Sequence, residues 1–164
     1  MDWRTFITIA HIVGTVLGVG GATFAEVFHR RALRDGKIDE SEGGLLSLTY
    51  GMLRLGIILL VLSGFAYFLL LRLGGRGAIL YEPRLWAKLI LTVVILVNAL
   101  LMATRKLPVW VGGSISIVSW YAALILGVWR GLELSLVAIM AWYVGLVLLV
   151  ALIFRPGKAE RRTA

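Results

Sequence analysis

The sequence contains no cysteine and few of the residues that usually build polar active sites. None of its 164 residues is Cys and only two are His, while 9 Asp and Glu residues accompany 17 Lys and Arg residues. Without cysteine the chain cannot form a disulfide, a thiolate metal site or a Cys nucleophile. It also has no Walker-type phosphate loop, no His-Glu-x-x-His zinc motif and no defensible Ser-His-Asp set. The common soluble hydrolase and nucleotide-binding chemistries are therefore not indicated.

What the chain does have is apolar sequence. Hydrophobic residues make up 60% of it and charged residues 16%, and the mean hydropathy is +0.92. Apolar runs of about twenty residues recur, and each is long enough to cross about 30 Å of hydrocarbon as a helix. The sequence thus predicts an all-α integral membrane bundle of about five transmembrane helices, with spans at 5–28, 45–71, 85–104, 109–128 and 132–154, followed by a basic cytoplasmic tail at 155–164.

The basic residues lie mainly between these runs, which is typical of membrane topology signals and not of nucleic-acid binding. Ten fall on one side of the membrane: Arg30, Arg31, Arg34, Lys37, Arg105, Lys106, Arg155, Lys158, Arg161 and Arg162. Six fall on the other: Arg4, Arg72, Arg76, Arg84, Lys88 and Arg130. This excess predicts an inner-membrane protein with its N-terminus outside and its C-terminus in the cytoplasm. The first apolar run continues past signal-peptide length, so an uncleaved first span is expected.

Polar residues inside the predicted spans are the candidate functional residues, because an ionisable group in the bilayer costs free energy. His11 lies about 9 Å inside the outer boundary by helical rise, and Lys88 lies about 5 Å below it. The two could flank one site. His11 is either a hydrogen-bonded residue of the bundle or a ligand or proton-transfer group, and Lys88 either extends its amine to water or belongs to that site. Two histidines could supply one axial ligand, or at most two, to a single haem.

A second polar group lies in the cytoplasmic half of the membrane. It consists of Glu26, Arg54 and Asn98. An arginine at that depth should face the bundle interior and find a partner, and Glu26 is the nearest carboxylate in the predicted arrangement. The pair could be structural, or it could contact a cofactor carboxylate or a proton path.

Small residues recur at helical spacing on two of the predicted helices. Gly14, Gly18 and Gly21 share a face of the first, and Gly112 and Ser116 share a face of the fourth. Such stripes allow close helix approach, so we expect packing seams there.

Two segments resemble a known family. Ala10-His11-Ile12-Val13 and Pro83-Arg84-Leu85-Trp86-Ala87-Lys88-Leu89-Ile90-Leu91 are similar to the early histidine and the Trp-x-x-Lys-Leu-like segment of HemJ-type protoporphyrinogen oxidases and the related CopD-like small membrane proteins. The resemblance implies a compact helical bundle holding haem b, with His11 and Lys88 at the positions of the family histidine and lysine.

The sequence leaves three functions open. The first is a protein binding one haem b near His11 for electron transfer or haem metabolism, with Arg54 or Lys88 near the propionates. The second is a non-catalytic accessory or scaffold subunit whose glycine stripes bind a partner helix or a second copy of the chain. The third is a small transporter or proton conductor using Glu26 and Arg54. Whether the protein is an enzyme stays open.

Overall fold

The computed structural model describes residues 2–32, 39–75, 79, 81–129 and 131–155. Its long helices are α1 (Trp3–Ala32), α2 (Glu40–Leu73), α3 (Pro83–Ala103), α4 (Val109–Val128) and α5 (Leu136–Phe154). The described residues contain no strand. All five helices are long and apolar enough to cross a membrane, which confirms the predicted all-α architecture.

The helix ends follow from local chemistry. Asp39 accepts a hydrogen bond from the Glu42 amide at 2.8 Å, and the Glu42 carboxylate accepts one from the Asp39 amide at 3.2 Å. This capping box starts α2 five residues before the predicted span at residue 45. Pro108 precedes the first residue of α4, as its missing amide proton allows. Ser135 accepts a bond from the Ala138 amide, so α5 starts after the predicted residue 132.

The helices form a bundle in which each helix runs antiparallel to the one before it in the chain. We call the N-side the end of the bundle where α1, α3 and α5 begin, and the C-side the end where they finish. The first four helices form a ring in which α1 packs on α2 and α4, and α4 packs on α3. The α2–α3 junction closes the ring only sparsely, and α5 lies outside against α4 and α3.

Two glycines on α1 permit its close approach to α2 and α4. A Cβ added at Gly14 would meet the Leu60 backbone at 2.9 Å, and one added at Gly56 would meet the Gly18 amide nitrogen at 2.9 Å. A Cβ at Gly18 would also collide with the indole ring of Trp120, which is 1% exposed. The backbone of α1 therefore lies directly between α2 and the largest buried side chain of α4.

The apolar interior is divided into two clusters. One joins α3, α4 and α5 through Leu91, Val118, Ile139 and neighbouring apolar side chains. The other joins the first four helices near mid-bundle and consists of Ala22, Leu60, Ile95 and Trp120. Large apolar side chains also cover the outer faces of the helices, for example Val16, Leu62, Leu100 and Trp142. Because a water-facing surface would not expose so many, these faces are suited to lipid.

Part of the sequence interpretation falls outside the described residues. This applies to residues 156–164 of the predicted basic tail and, among the residues counted for orientation, to Arg34, Lys37, Arg76 and Arg130.

Candidate functional site

The first candidate residue, His11, lies in a polar group in the N-side half of the bundle. Because α1 and α2 are antiparallel and cross at Gly14 and Gly56, the first turns of α1 lie beside the last turns of α2. This brings Thr8 and His11 to the same level as Tyr67 and Ser63. We call these four residues together with Lys88 the His11 site.

The hydrogen bond between His11 and Ser63 determines which imidazole nitrogen is available. His11 Nδ1 lies 2.9 Å from Ser63 Oγ, and Ser63 Oγ lies 2.5 Å from the Leu59 carbonyl oxygen. A hydroxyl has one proton, and in this geometry it is donated to the carbonyl. Ser63 therefore accepts from Nδ1–H, which assigns the neutral imidazole to the tautomer with an unprotonated Nε2.

Tyr67 and Thr8 support the imidazole ring from the N-side. The Tyr67 ring meets His11 edge to face, with centroids 5.7 Å apart and an interplanar angle of 88°. The Tyr67 hydroxyl is hydrogen-bonded to the Thr8 hydroxyl, which in turn lies 2.7 Å from the Arg4 carbonyl oxygen. Thr8 donates to that carbonyl, so Tyr67 donates to Thr8. The chain of bonds fixes both rings relative to the α1 backbone.

Lys88 contributes a positive charge from α3, close to the N-side end where that helix begins. Its side chain is half-buried. The nearby Glu82 carboxylate is bonded to Arg84 at 2.8 Å. Among the described residues no salt bridge joins Lys88 to a carboxylate. The His11 site thus combines an imidazole nitrogen with a free lone pair and a cation suited to an anionic group.

The mid-bundle cluster of Ala22, Leu60, Ile95 and Trp120 lies directly on the C-side of the His11 site. Leu60 is one helical turn from Ser63, and Trp120 fills the space left by Gly18, two turns from His11. These side chains are buried and apolar, so the polar site is separated from the C-side by packed hydrocarbon. A ligand or proton would reach His11 from the N-side or from lipid.

The second predicted group is not brought together. Glu26 is bonded to Arg30 at 2.5 Å, and its side chain is only 11% exposed. The Arg30 guanidinium lies 3.7 Å from the centroid of the Phe154 ring. The charges of Glu26 and Arg30 therefore join α1 to α5 near the C-side.

Arg54, which the sequence analysis placed inside the bundle beside Glu26, is instead exposed on the outer face of α2. The levels of the two helices explain this correction. With Gly18 beside Gly56, Arg54 is level with Gly20 and lies about 9 Å along the axis from Glu26. Arg30, one turn from Glu26 on the same helix, is the nearer cation.

Asn98, the third residue of the predicted group, makes a contact that involves neither Glu26 nor Arg54. It is buried on α3 and donates its side-chain amide to the Gly112 carbonyl oxygen of α4 at 2.9 Å. The bond links α3 to α4.

The small-residue stripes face other helices of this chain. Gly14 contacts Leu59 and Leu60, Gly21 contacts Leu53, and Gly112 lies against Met102. Ser116 is half-buried on α4. The glycines therefore allow close packing inside the bundle.

Sequence reasoning missed Ser63 and Tyr67. The signal was available in the sequence, because Ser63 and Tyr67 stand four residues apart on the predicted second span and Thr8 and His11 stand three residues apart on the first. Since the two helices run in opposite directions, the first residue of one pair meets the second residue of the other. Their levels could not be matched before the glycine crossing fixed the alignment of the two helices.

The described residues hold no group of three or more His, Asp or Glu side chains that could bind a metal ion. Comparison with protein-family models, with curated proteins and with solved structures found no match. The chemistry of the His11 site is therefore the basis on which a function can be proposed.

Proposed function

We propose that this protein is a small inner-membrane protein that binds one haem b through His11 and serves electron transfer or haem metabolism. The observation that carries the proposal is the hydrogen bond from His11 Nδ1 to Ser63, which leaves Nε2 with a lone pair that can bind a metal. Metal-ligating histidines in proteins characteristically donate their other ring N–H to an oxygen in this way.

The donor set fits haem better than a bare metal ion. A zinc or similar site needs three or four protein ligands, and no such group occurs in the described part of the chain. Haem supplies four nitrogens of its own and requires as little as one axial residue from the protein. A single half-buried imidazole with an accepting oxygen behind it meets that requirement.

Lys88 supplies the complementary charge. Haem b carries two propionates, and a half-buried ammonium without a carboxylate partner among the described residues is suited to pair with one of them. When bound, the haem iron supplies one-electron redox chemistry, while His11, Ser63 and Lys88 hold and orient the group.

The similarity of two segments to HemJ-type and CopD-like proteins is the reason for naming haem metabolism beside electron transfer. Those segments contain His11 and Lys88, which both lie in the N-side half of the bundle. We further propose that the N-side faces outward, as the distribution of Lys and Arg indicates.

The alternative functions have less support. The transporter proposal used Glu26 and Arg54 as one pair, whereas Glu26 is bonded to Arg30 and Arg54 is exposed. The scaffold proposal used Gly14, Gly18 and Gly112 to bind partner helices, whereas all three pack against side chains of this chain.

The test is a haemin titration of the detergent-purified protein, followed by the Soret band. We expect one haem per chain for the wild type and loss of saturable binding for His11→Ala. His29→Ala is the matched control, since His29 is the second of the two histidines and lies at the other end of α1. Equal binding by His11→Ala and the wild type would overturn the proposal, as would a colourless wild type that is otherwise folded.

A further inference from the structure

A groove on the lipid-facing surface between α2 and α3 combines apolar walls with one charge. Its volume is about 560 Å³, and its lining includes Arg54, Ile57, Ile58, Leu96, Val97 and Leu100. Apart from the arginine these side chains are aliphatic, which suits an acyl chain and offers nothing to a polar ligand. The groove belongs to the C-side half of the bundle, away from the His11 site.

Arg54 has no salt-bridge partner among the residues that the structure describes. Glu26 is bonded to Arg30, and Asp39 and Glu42 cap the first turn of α2 more than two turns away. A guanidinium exposed to hydrocarbon costs free energy unless it meets an anion or reaches the interface. An anionic group bound in the groove would therefore be stabilised by Arg54.

Arg54 lies at a depth from which its side chain can reach a lipid headgroup. Its groove neighbours Leu96 and Leu100 lie about 5 to 10 Å from the C-side end of α3 at Ala103. Helical side chains lean toward the N-terminus of their helix, which for α2 is on the C-side. Arg54 is thus directed along the groove toward the membrane surface, the usual way for arginine to extend to the interface.

Two more cations lie just beyond the C-side end of α3, which forms one wall of the groove. Arg105 and Lys106 are exposed immediately after α3, where Arg105 has a positive φ of 54° and ends the helix. Leu100, in the wall of the groove, is only five residues before Arg105. Basic pockets between transmembrane helices near a membrane surface are characteristic sites for anionic lipid headgroups.

We infer that this groove binds an anionic phospholipid, whose acyl chain lies on Ile57, Ile58 and Val97 and whose phosphate pairs with Arg54. Arg105 and Lys106 hold the outer part of the headgroup. The site is distinct from the proposed haem site, because none of the residues that line the groove belongs to the His11 site.

The test is native mass spectrometry of the detergent-purified full chain with added phosphatidylglycerol or phosphatidylcholine of equal chain length. The wild type should retain phosphatidylglycerol in preference to phosphatidylcholine. Arg54→Gln should weaken phosphatidylglycerol binding roughly fivefold, the contribution of one basic residue near a membrane surface. Arg72→Gln, an exposed arginine near the other end of α2, is the matched control and should bind like the wild type.

A second variant keeps the test decisive if Arg54→Gln does not fold. Val97→Trp fills the groove from an exposed position and keeps the arginine, so it should also reduce phosphatidylglycerol binding. Unchanged phosphatidylglycerol binding in either variant would overturn the inference. So would equal binding of the two lipids by the wild type, or a loss of self-association in Arg54→Gln with lipid binding intact, since the last result would assign the groove to a second copy.

Discussion

His11 illustrates how a single polar residue is accommodated inside an apolar bundle. Its Nδ1–H is donated to Ser63, and its ring is held edge to face by Tyr67. These contacts reduce the cost of removing an imidazole from water, and they fix its tautomer. Ser63 is therefore a positioning residue: by binding Nδ1 it orients the other nitrogen of His11, which we propose to bind iron.

Ser63→Ala should weaken haemin binding by about tenfold or more without abolishing the Soret band, because outer-shell partners of metal-ligating histidines contribute about that factor. The measurement is the haemin titration curve. Ser47→Ala is the matched control, because Ser47 is an exposed serine on the same helix. Identical affinities for Ser63→Ala and the wild type would contradict the assigned role of the serine.

Substitution of Gly18 tests how closely α1 packs against Trp120. Gly18→Ala places a methyl group where the indole ring already lies, so we expect a loss of about 1–3 kcal/mol of stability, the usual cost of overpacking. The measurement is the midpoint of thermal unfolding in detergent. Gly20→Ala should leave it unchanged or raise it, because no atom lies within 4 Å of a Cβ at that position. Equal effects at the two glycines would show that Trp120 does not occupy this space.

At the scale of the helices, the starts of α2 and α5 are determined by side-chain caps and not by hydrophobicity. The apolar run that predicted a span from residue 45 gives the membrane-crossing part of α2, whereas Asp39 and Glu42 extend the helix beyond it. Hydrogen bonds from the Glu42 amide hold the pKa of the Asp39 carboxyl below its usual range, because they favour the ionised form.

Asp39→Ala should accelerate hydrogen exchange at the Glu42 amide at neutral pH, since that amide loses its acceptor. Because the folded-state pKa is lowered, the extra stabilisation from the ionised carboxylate is fully present above the ordinary carboxyl pKa and is lost as the pH falls through the lowered value. The difference in exchange rate between the wild type and Asp39→Ala should therefore narrow in strongly acidic solution. Asp39→Asn retains a side-chain acceptor and should remain close to the wild type at neutral pH; rapid exchange in this variant would count against the cap.

At the scale of the whole molecule, the number and type of helices could be predicted because each apolar run independently satisfies the length requirement of the bilayer. Pairwise geometry could not be predicted in the same way. Arg54 and Glu26 share a half of the membrane, but the glycine crossing places them about two turns apart along the helix axis. The His11–Ser63 contact required the same information, which no single helix carries.

The proposed orientation can be tested cleanly because the chain contains no cysteine. Tyr81→Cys introduces an exposed thiol on the N-side, and Ser41→Cys introduces one on the C-side. In intact cells a membrane-impermeant maleimide should label the first variant and not the second, while both should react after permeabilisation. The reverse pattern would place the N-side in the cytoplasm and contradict the orientation drawn from the basic residues.

The central proposal is that His11 Nε2 would bind the iron of one haem, and rescue by imidazole tests it most directly. His11→Gly protein should lose the Soret band of the wild type when supplied with haemin, and added imidazole should restore it by occupying the space of the missing side chain. The restored band should sharpen on reduction with dithionite like that of the wild type. An undiminished Soret band in His11→Gly without imidazole would contradict the claim, because it would assign the iron to another ligand.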